Sequence, residues 1–200
     1  MSDAPGPVGA IVLAGGRSSR FGRDKLAEPV DGRPMLERAI DAVREVATEV
    51  VVVAAPDGSP AVAAGIIVVR DRSAFEGPLA GLATGLAALA PEVERVIVVG
   101  GDMPTLVPAV LERLLDLADR ADAVILEDDA GPRPLPMAAR RSIVQPVADR
   151  LLAAGERRLR ALLAELDAVV AIHPAIWRAD DPTGQTLRDV DVPGDVPGRS

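Results

Sequence analysis

The sequence predicts a three-layer α/β/α fold, a mostly parallel sheet covered by helices on both faces, and three observations carry that expectation. Apolar, β-rich runs alternate with segments whose apolar residues recur at helical spacing. The runs are continuous, as in Val50-Val51-Val52-Val53, which is the pattern of strands buried on both faces. No long polar or low-complexity stretch divides the 200 residues, 48% of them hydrophobic, so one domain is expected over 1–200, with a loose leader at 1–7 and a loose tail at 194–200.

In chain order, residues 8–14 read as the first strand and 34–47 as an amphipathic helix. Strands at 49–55 and 66–70 follow, then a helix at 78–89 with Pro78 in its first turn. A strand at 95–100, a helix at 107–120 and a strand at 123–127 continue the alternation. The Asp- and Gly-rich stretch 127–132 reads as a turn into an extended segment at 135–139. Two adjacent helices, 143–154 and 157–166, precede a last strand at 168–173. In an open sheet of this kind ligands bind beyond the carboxyl ends of the strands, so the site is expected in the loops that follow them.

Charge and composition narrow the chemistry. A net charge of −8 and a pI near 4.7 argue against a general field for nucleic acid or anionic membranes, so a phosphate site must be local. With no cysteine, thiolate metal sites are excluded; one histidine, His173, argues against a histidine-based zinc site, and oxygen-ligated metals stay open. The longest uncharged stretch, 77–91, falls short of the roughly 18 apolar residues that a spanning helix needs. Residues 1–9 carry an acid and two prolines where a secretory signal needs a basic start and an apolar run, so a cytoplasmic protein without membrane or nucleic-acid partners is expected.

The loop after the first strand has the composition of an anion site. Residues 15–25 hold Gly15, Gly16 and Gly22, two serines, and the cations Arg17, Arg20, Arg23 and Lys25. Glycines let backbone N–H groups approach phosphate oxygens, and cations neutralise charge at the rim. Neither the P-loop ending nor the G-x-G-x-x-G spacing is present. Lys25 is the only lysine in a chain that otherwise uses arginine. A solvated polar connection is the alternative for such a loop.

Leu13-Ala14-Gly15-Gly16-Arg17-Ser18-Ser19-Arg20-Phe21-Gly22-Arg23-Asp24-Lys25 closely resembles the opening motif, L-A-G-G-x-S-x-R-(M/F)-G-x-D-K, of molybdenum cofactor guanylyltransferases (MobA) and related nucleotidyltransferases. The resemblance continues through Gly77-Pro78-Leu79-Ala80-Gly81, Gly101-Asp102-Met103-Pro104 and Asp189-Val190-Asp191-Val192-Pro193, nearly the whole chain. It implies a Rossmann-like nucleotidyltransferase fold that moves GMP from GTP onto the phosphate of molybdopterin or its molybdenum form and releases pyrophosphate. Cytidylyl transfer to the same cofactor, nucleotidyl transfer to a sugar phosphate, and a non-catalytic cofactor-delivery module remain alternatives. The implied partners are GTP, the cofactor and, transiently, cofactor-biosynthesis proteins or acceptor molybdoenzymes.

By the same resemblance, Leu13, Ala14, Gly15, Gly16, Lys25, Asp71, Gly81 and Asp102 contact the nucleotide, and Lys25, Arg17 and Arg20 stabilise the departing pyrophosphate. Asp102, at the end of a buried strand beside two glycines, suits Mg²⁺, although it also reads as a cap on the turn before the helix at 107–120. Asp189 and Asp191 stand where many family members carry asparagines, and Asp191 is a candidate second Mg²⁺ ligand beside a plain terminal turn. Asp71 reads either as a pocket residue or as a solvated acid paired with Arg70 or Arg72. Ala54-Ala55-Pro56 replaces an asparagine of relatives and leaves the base less well specified. Gly81 serves either ligand approach or packing. Arg133, Arg157 and Arg158 are candidates for the acceptor phosphate or plain surface charges, and His173 reads as structural.

Overall fold

The computed structural model describes residues 6–15, 25–71 and 77–188, and of Lys25 the backbone alone. Strand β1, Val8–Ala14, is followed by a single 3-10 turn at Lys25–Ala27, and the two-residue strands β2, Pro29–Val30, and β3, Arg33–Pro34, form a small hairpin. Helix α1, Met35–Arg44, buries Met35, Leu36, Ala39, Ile40 and Val43. It stops short of the predicted 47 because the Val46 and Ala47 N–H groups both turn back to the Val43 carbonyl, closing the helix before β4, Glu49–Ala54. Strand β5, Ile67–Arg70, helix α2, Pro78–Ala88, strand β6, Arg95–Gly100, and helix α3, Pro108–Ala118, follow.

Strands β7, Ala123–Asp128, and β8, Gly131–Arg140, form a hairpin, so the predicted turn contracts to Asp129 and Ala130. Helices α4, Arg141–Ala153, and α5, Leu159–Ala164, precede β9, Val169–Ile172. The four-residue helix α6, Pro174–Trp177, and a 3-10 turn at Gln185–Leu187 end the described chain. Of the expected leader, Gly6 and Pro7 are exposed and outside any strand, while 194–200 lie outside the described residues.

The main sheet has seven strands in the order β5-β4-β1-β6-β8-β7-β9. All neighbours are parallel except β8, which runs antiparallel to both β6 and β7. Because β8 reverses twice, β7 and β9 end on the same edge of the sheet as β1, β4, β5 and β6. Successive side chains along a strand face opposite layers, and the core divides accordingly. Ala10, Val12, Val50, Val52, Ile97 and Val99 pack with α1 and α3 on one face. Ile11, Val51, Val53, Val96 and Val98 pack with α2, α4 and α5 on the other.

The chain leaves β1 to build β4 and β5 on one side, then returns to build β6 on the other. Strand β1 is therefore the point where the winding direction changes, and the carboxyl ends of such strands diverge into a crevice. Within the described residues no helix is long and apolar enough to cross a membrane.

Candidate active site

The crevice is framed by the ends of four strands. Leu13 of β1 pairs with Gly100 of β6, and Ala14 pairs with Ala54 of β4. Past the ladder, the Gly101 N–H donates to the Leu13 carbonyl at 2.9 Å, which keeps the chain after β6 beside β1 and sets Asp102 next to the end of that strand.

Asp71 arrives from the other side. Its N–H donates to the Ala54 carbonyl at 3.0 Å, and its carboxylate reaches across the end of β4 toward β1. A Cβ placed on Gly15 would lie 3.3 Å from Asp71 Oδ2, and one on Gly81 in α2 would lie 3.9 Å from the same oxygen. Oδ1 of Asp71 is shielded from solvent. The Arg70 Nε–H donates to the Gly58 carbonyl at 3.0 Å, and Arg72, the other partner expected for Asp71, lies outside the described residues. For Gly81 itself the nearer neighbour is Leu13, 3.1 Å from an added Cβ, so a side chain there would crowd β1.

Asp102 is partly buried and stands in a compact turn in which the Met103 N–H donates to the Gly100 carbonyl at 3.3 Å. Asp102 does not cap helix α3 itself, since the residue flanking α3 is Val107 and no side chain caps it. A Cβ on Gly100 would lie 2.5 Å from Asp102 Oδ1, so the carboxylate occupies space that only glycine leaves free. Among the described residues no group of three or more His, Asp or Glu forms a ready metal cage. A small hard cation commonly needs only one or two carboxylates, with water and phosphate oxygens completing its shell.

Residues 10–169 match the family of the MobA-like NTP transferase domain. The chain belongs to that family. A curated relative from Chloroflexus aggregans, named "Probable molybdenum cofactor guanylyltransferase", is 35% identical over 94% of this chain and 91% of its own length. One of the same name from Mycobacterium avium is 34% identical over 84% of this chain and 86% of its own. Among solved structures, molybdopterin-guanine dinucleotide biosynthesis protein A from Archaeoglobus fulgidus shares the fold with a TM-score of 0.75 at 24% identity, covering 94% of each chain. A 4-diphosphocytidyl-2C-methyl-D-erythritol synthase from Anaerococcus prevotii does so with a TM-score of 0.71 at 18% identity, over 96% of this chain and 95% of its own.

In this MobA-like transferase domain the structure brings together five of the predicted site residues: Leu13, Ala14 and Gly15 at the end of β1, Asp71 beside them, and Gly81 beneath. Asp102 stands across β1 from Asp71. Gly16, Arg17, Arg20, Asp189 and Asp191, and the side chain of Lys25, lie outside the described residues.

Two of the arginines expected to meet the acceptor are engaged locally. The Arg157 guanidinium donates to the Leu152 and Glu156 carbonyls at 3.2 and 2.9 Å, closing the end of α4. Arg158 meets both Glu156 oxygens at 2.9 and 2.7 Å, and with the Arg157 and Arg158 N–H groups it holds the Glu156 carboxyl at about 2. Arg133 pairs with Asp128 at 2.9 Å on the edge shared with the crevice. His173 is structural as expected, its Nδ1 accepting from the Ala175 N–H at the start of α6.

Sequence reasoning missed the residues that brace the Asp102 turn. Arg38 Nε–H donates to the Pro104 carbonyl at 3.0 Å, and Thr105 Oγ1–H donates to the Gln185 carbonyl at 2.7 Å. Trp177, 1% exposed, fills the core beneath α6 and donates through Nε1 to the Glu127 carbonyl at 2.9 Å. Polar residues within a Pro- and Gly-containing stretch give no periodic signal. The one legible hint was a tryptophan in a chain that has a single one.

Proposed function

We propose that this chain, acting as a single domain, transfers GMP from GTP to the phosphate of molybdopterin or its molybdenum form, releasing pyrophosphate. The observation that carries this reading is the placement of Asp71 and Asp102 on opposite sides of the β1 end, at the switch point of the sheet. Membership in the MobA-like family and the names of relatives that match over most of the chain support it.

In the reaction an oxygen of the acceptor phosphate attacks the α-phosphorus of GTP. A new P–O bond forms, the bond to the β-phosphate bridging oxygen breaks, and its electron pair leaves on pyrophosphate. The acceptor is already ionised near neutral pH, so no general base is required and catalysis becomes alignment and charge neutralisation. Gly15 and Gly16 cradle the phosphates, and Lys25, Arg17 and Arg20 take up charge on the departing pyrophosphate. Asp71, beside Gly15, orients the nucleoside part.

Asp102, with Asp191, would hold Mg²⁺, which when bound supplies electrostatic stabilisation of the phosphate oxygens. A single carboxylate at a strand end suits a hard cation that keeps water and phosphate oxygens as its other ligands. Arg133, near the start of β8, and Arg178, just after α6, would face the acceptor half. The molybdoenzyme that takes up the product is the protein partner of this reading.

The same fold serves a cytidylyl enzyme among the neighbours, and Ala55 here lacks an amide side chain toward the base. The deciding experiment incubates the protein with molybdopterin and α-³²P-labelled GTP or CTP. Label in a pterin dinucleotide from GTP alone is expected, and preferential transfer from CTP would replace guanylyl by cytidylyl transfer.

A further inference from the structure

The segment after α6 is built around a buried polar node. Asp181 is 2% exposed and Thr186 fully buried, and Thr186 bonds the far end of the loop that carries Asp102. The Asp181 carboxylate accepts from the Thr186 N–H at 2.7 Å and from the Thr183 hydroxyl at 3.1 Å, and it also accepts the Thr186 hydroxyl. Having donated its proton to Asp181, the Thr186 hydroxyl presents a lone pair to the Val107 N–H at 3.2 Å. Thr105, three residues beyond Asp102, donates to the Gln185 carbonyl at 2.7 Å, next to Thr186.

Both ends of the 102–107 loop are therefore fixed. Met103 Sδ accepts from the Gly100 N–H at 3.4 Å at the strand end, and the Thr186 node holds the Val107 end. A buried carboxylate costs stability unless it is fully hydrogen-bonded, so this node is an expensive way merely to close a loop. What it secures is the spacing between β6 and the 180–188 segment, which runs on toward Asp189 and Asp191.

We propose that Asp181 and Thr186 are positioning residues: through the Thr186 hydroxyl and Val107 they hold the loop that carries Asp102 in the geometry that binds a divalent ion. This rests on the metal reading of Asp102 above. Without the hydroxyl, the loop is free to relax away from β1 while the fold stays intact. Residues that orient a metal ligand through an intermediate typically cost ten- to a hundredfold in metal affinity when removed.

The test is a Mn²⁺ titration, read by electron paramagnetic resonance, of the full chain loaded with GTP, for wild type, Thr186→Val, Thr186→Ser and Asp122→Asn. Asp122 is a comparably buried carboxylate at the amino end of β7, away from the crevice, accepting from the Ala168 N–H at 2.9 Å and Arg140 at 2.8 Å. Thr186→Val is expected to bind Mn²⁺ about tenfold more weakly, Thr186→Ser to bind as wild type, and Asp122→Asn to lose thermal stability without losing Mn²⁺. Equal affinity in Thr186→Val and wild type, or an equal loss in Asp122→Asn, overturns the proposal. Should Thr186→Val not fold, Thr105→Val carries the same expectation at a partly exposed position. Wild type that binds Mn²⁺ and GTP but transfers nothing to molybdopterin refutes the proposed reaction and leaves the positioning role standing. Wild type that binds no Mn²⁺ refutes the metal site and the positioning role together.

Discussion

The Asp71 carboxylate stands over Gly15, with Oδ2 only 3.3 Å from where a Cβ on that glycine would sit. The two residues come from strands that are not neighbours, since β4 lies between them, and no side chain other than hydrogen fits at Gly15 without moving the acid. Gly15→Ala is therefore expected to raise KM for the nucleotide by about tenfold, the equivalent of one lost charge-assisted hydrogen bond, while leaving thermal stability near wild type. Initial-rate kinetics beside a melting curve check this, and an unchanged KM would remove Asp71 from the nucleotide pocket.

Gly77 opens α2 at φ +83°, and an added Cβ would lie 2.8 Å from the Arg157 carbonyl oxygen, the same oxygen that accepts from the Leu79 N–H. Gly77→Ala combines a left-handed backbone with a clash against backbone and is predicted to cost about 2 kcal/mol of stability. Urea unfolding measures it, and a loss under ~0.5 kcal/mol would mean that the helix start relaxes freely.

Burial works to raise the Asp181 carboxyl, but the Thr186 and Gln185 N–H groups and the Thr186 and Thr183 hydroxyls prevail and hold it below its ordinary value of 3.8. A folded-state value below the unfolded one gives stability that is present above the ordinary carboxylate range and is lost as pH falls through the folded value. The melting temperature should thus show an Asp181-dependent decline only in acid, below about pH 4. Asp181→Asn should flatten that part of the profile, and an identical acid decline in the variant would contradict it.

The carboxyl end of β4 carries Ala55, whose N lies 3.5 Å from the Gly15 Cβ position, within the stretch 54–56 where the resemblance implies an asparagine. Restoring an amide by Ala55→Asn adds one hydrogen-bonding group on the nucleoside side. A gain of about 1 kcal/mol, a three- to tenfold lower KM for the preferred nucleotide, is expected. Competition between GTP and CTP reads it, and equal effects on both would mean that the amide meets the ribose and not the base.

Much of this architecture is legible in the sequence because burial leaves a pattern. Val50 to Val53 are buried whichever face they point to, so the run shows no alternation and announces a strand covered on both sides. Asp102 was readable for the same reason, as the first carboxylate after such a run. The helix limits ran long at α1, α3 and α5, since apolar spacing persists into the closing turn while the hydrogen bonds do not. Helix α6 has four residues, too few to display a period, and it went unseen. The partners of charged residues were unreadable: nothing local says that Arg38 donates to the Pro104 carbonyl or that Arg113 pairs with Asp180, because these residues lie 66 and 67 positions apart in the chain and meet only on folding.

The central claim is tested most directly by pyrophosphate release from the purified protein with Mg²⁺, GTP and molybdopterin, beside Asp102→Ala. Turnover with GTP that requires molybdopterin and falls by about a thousandfold in the variant is the predicted result. Turnover undiminished in Asp102→Ala, or silence with every nucleotide and acceptor despite nucleotide binding, would contradict it.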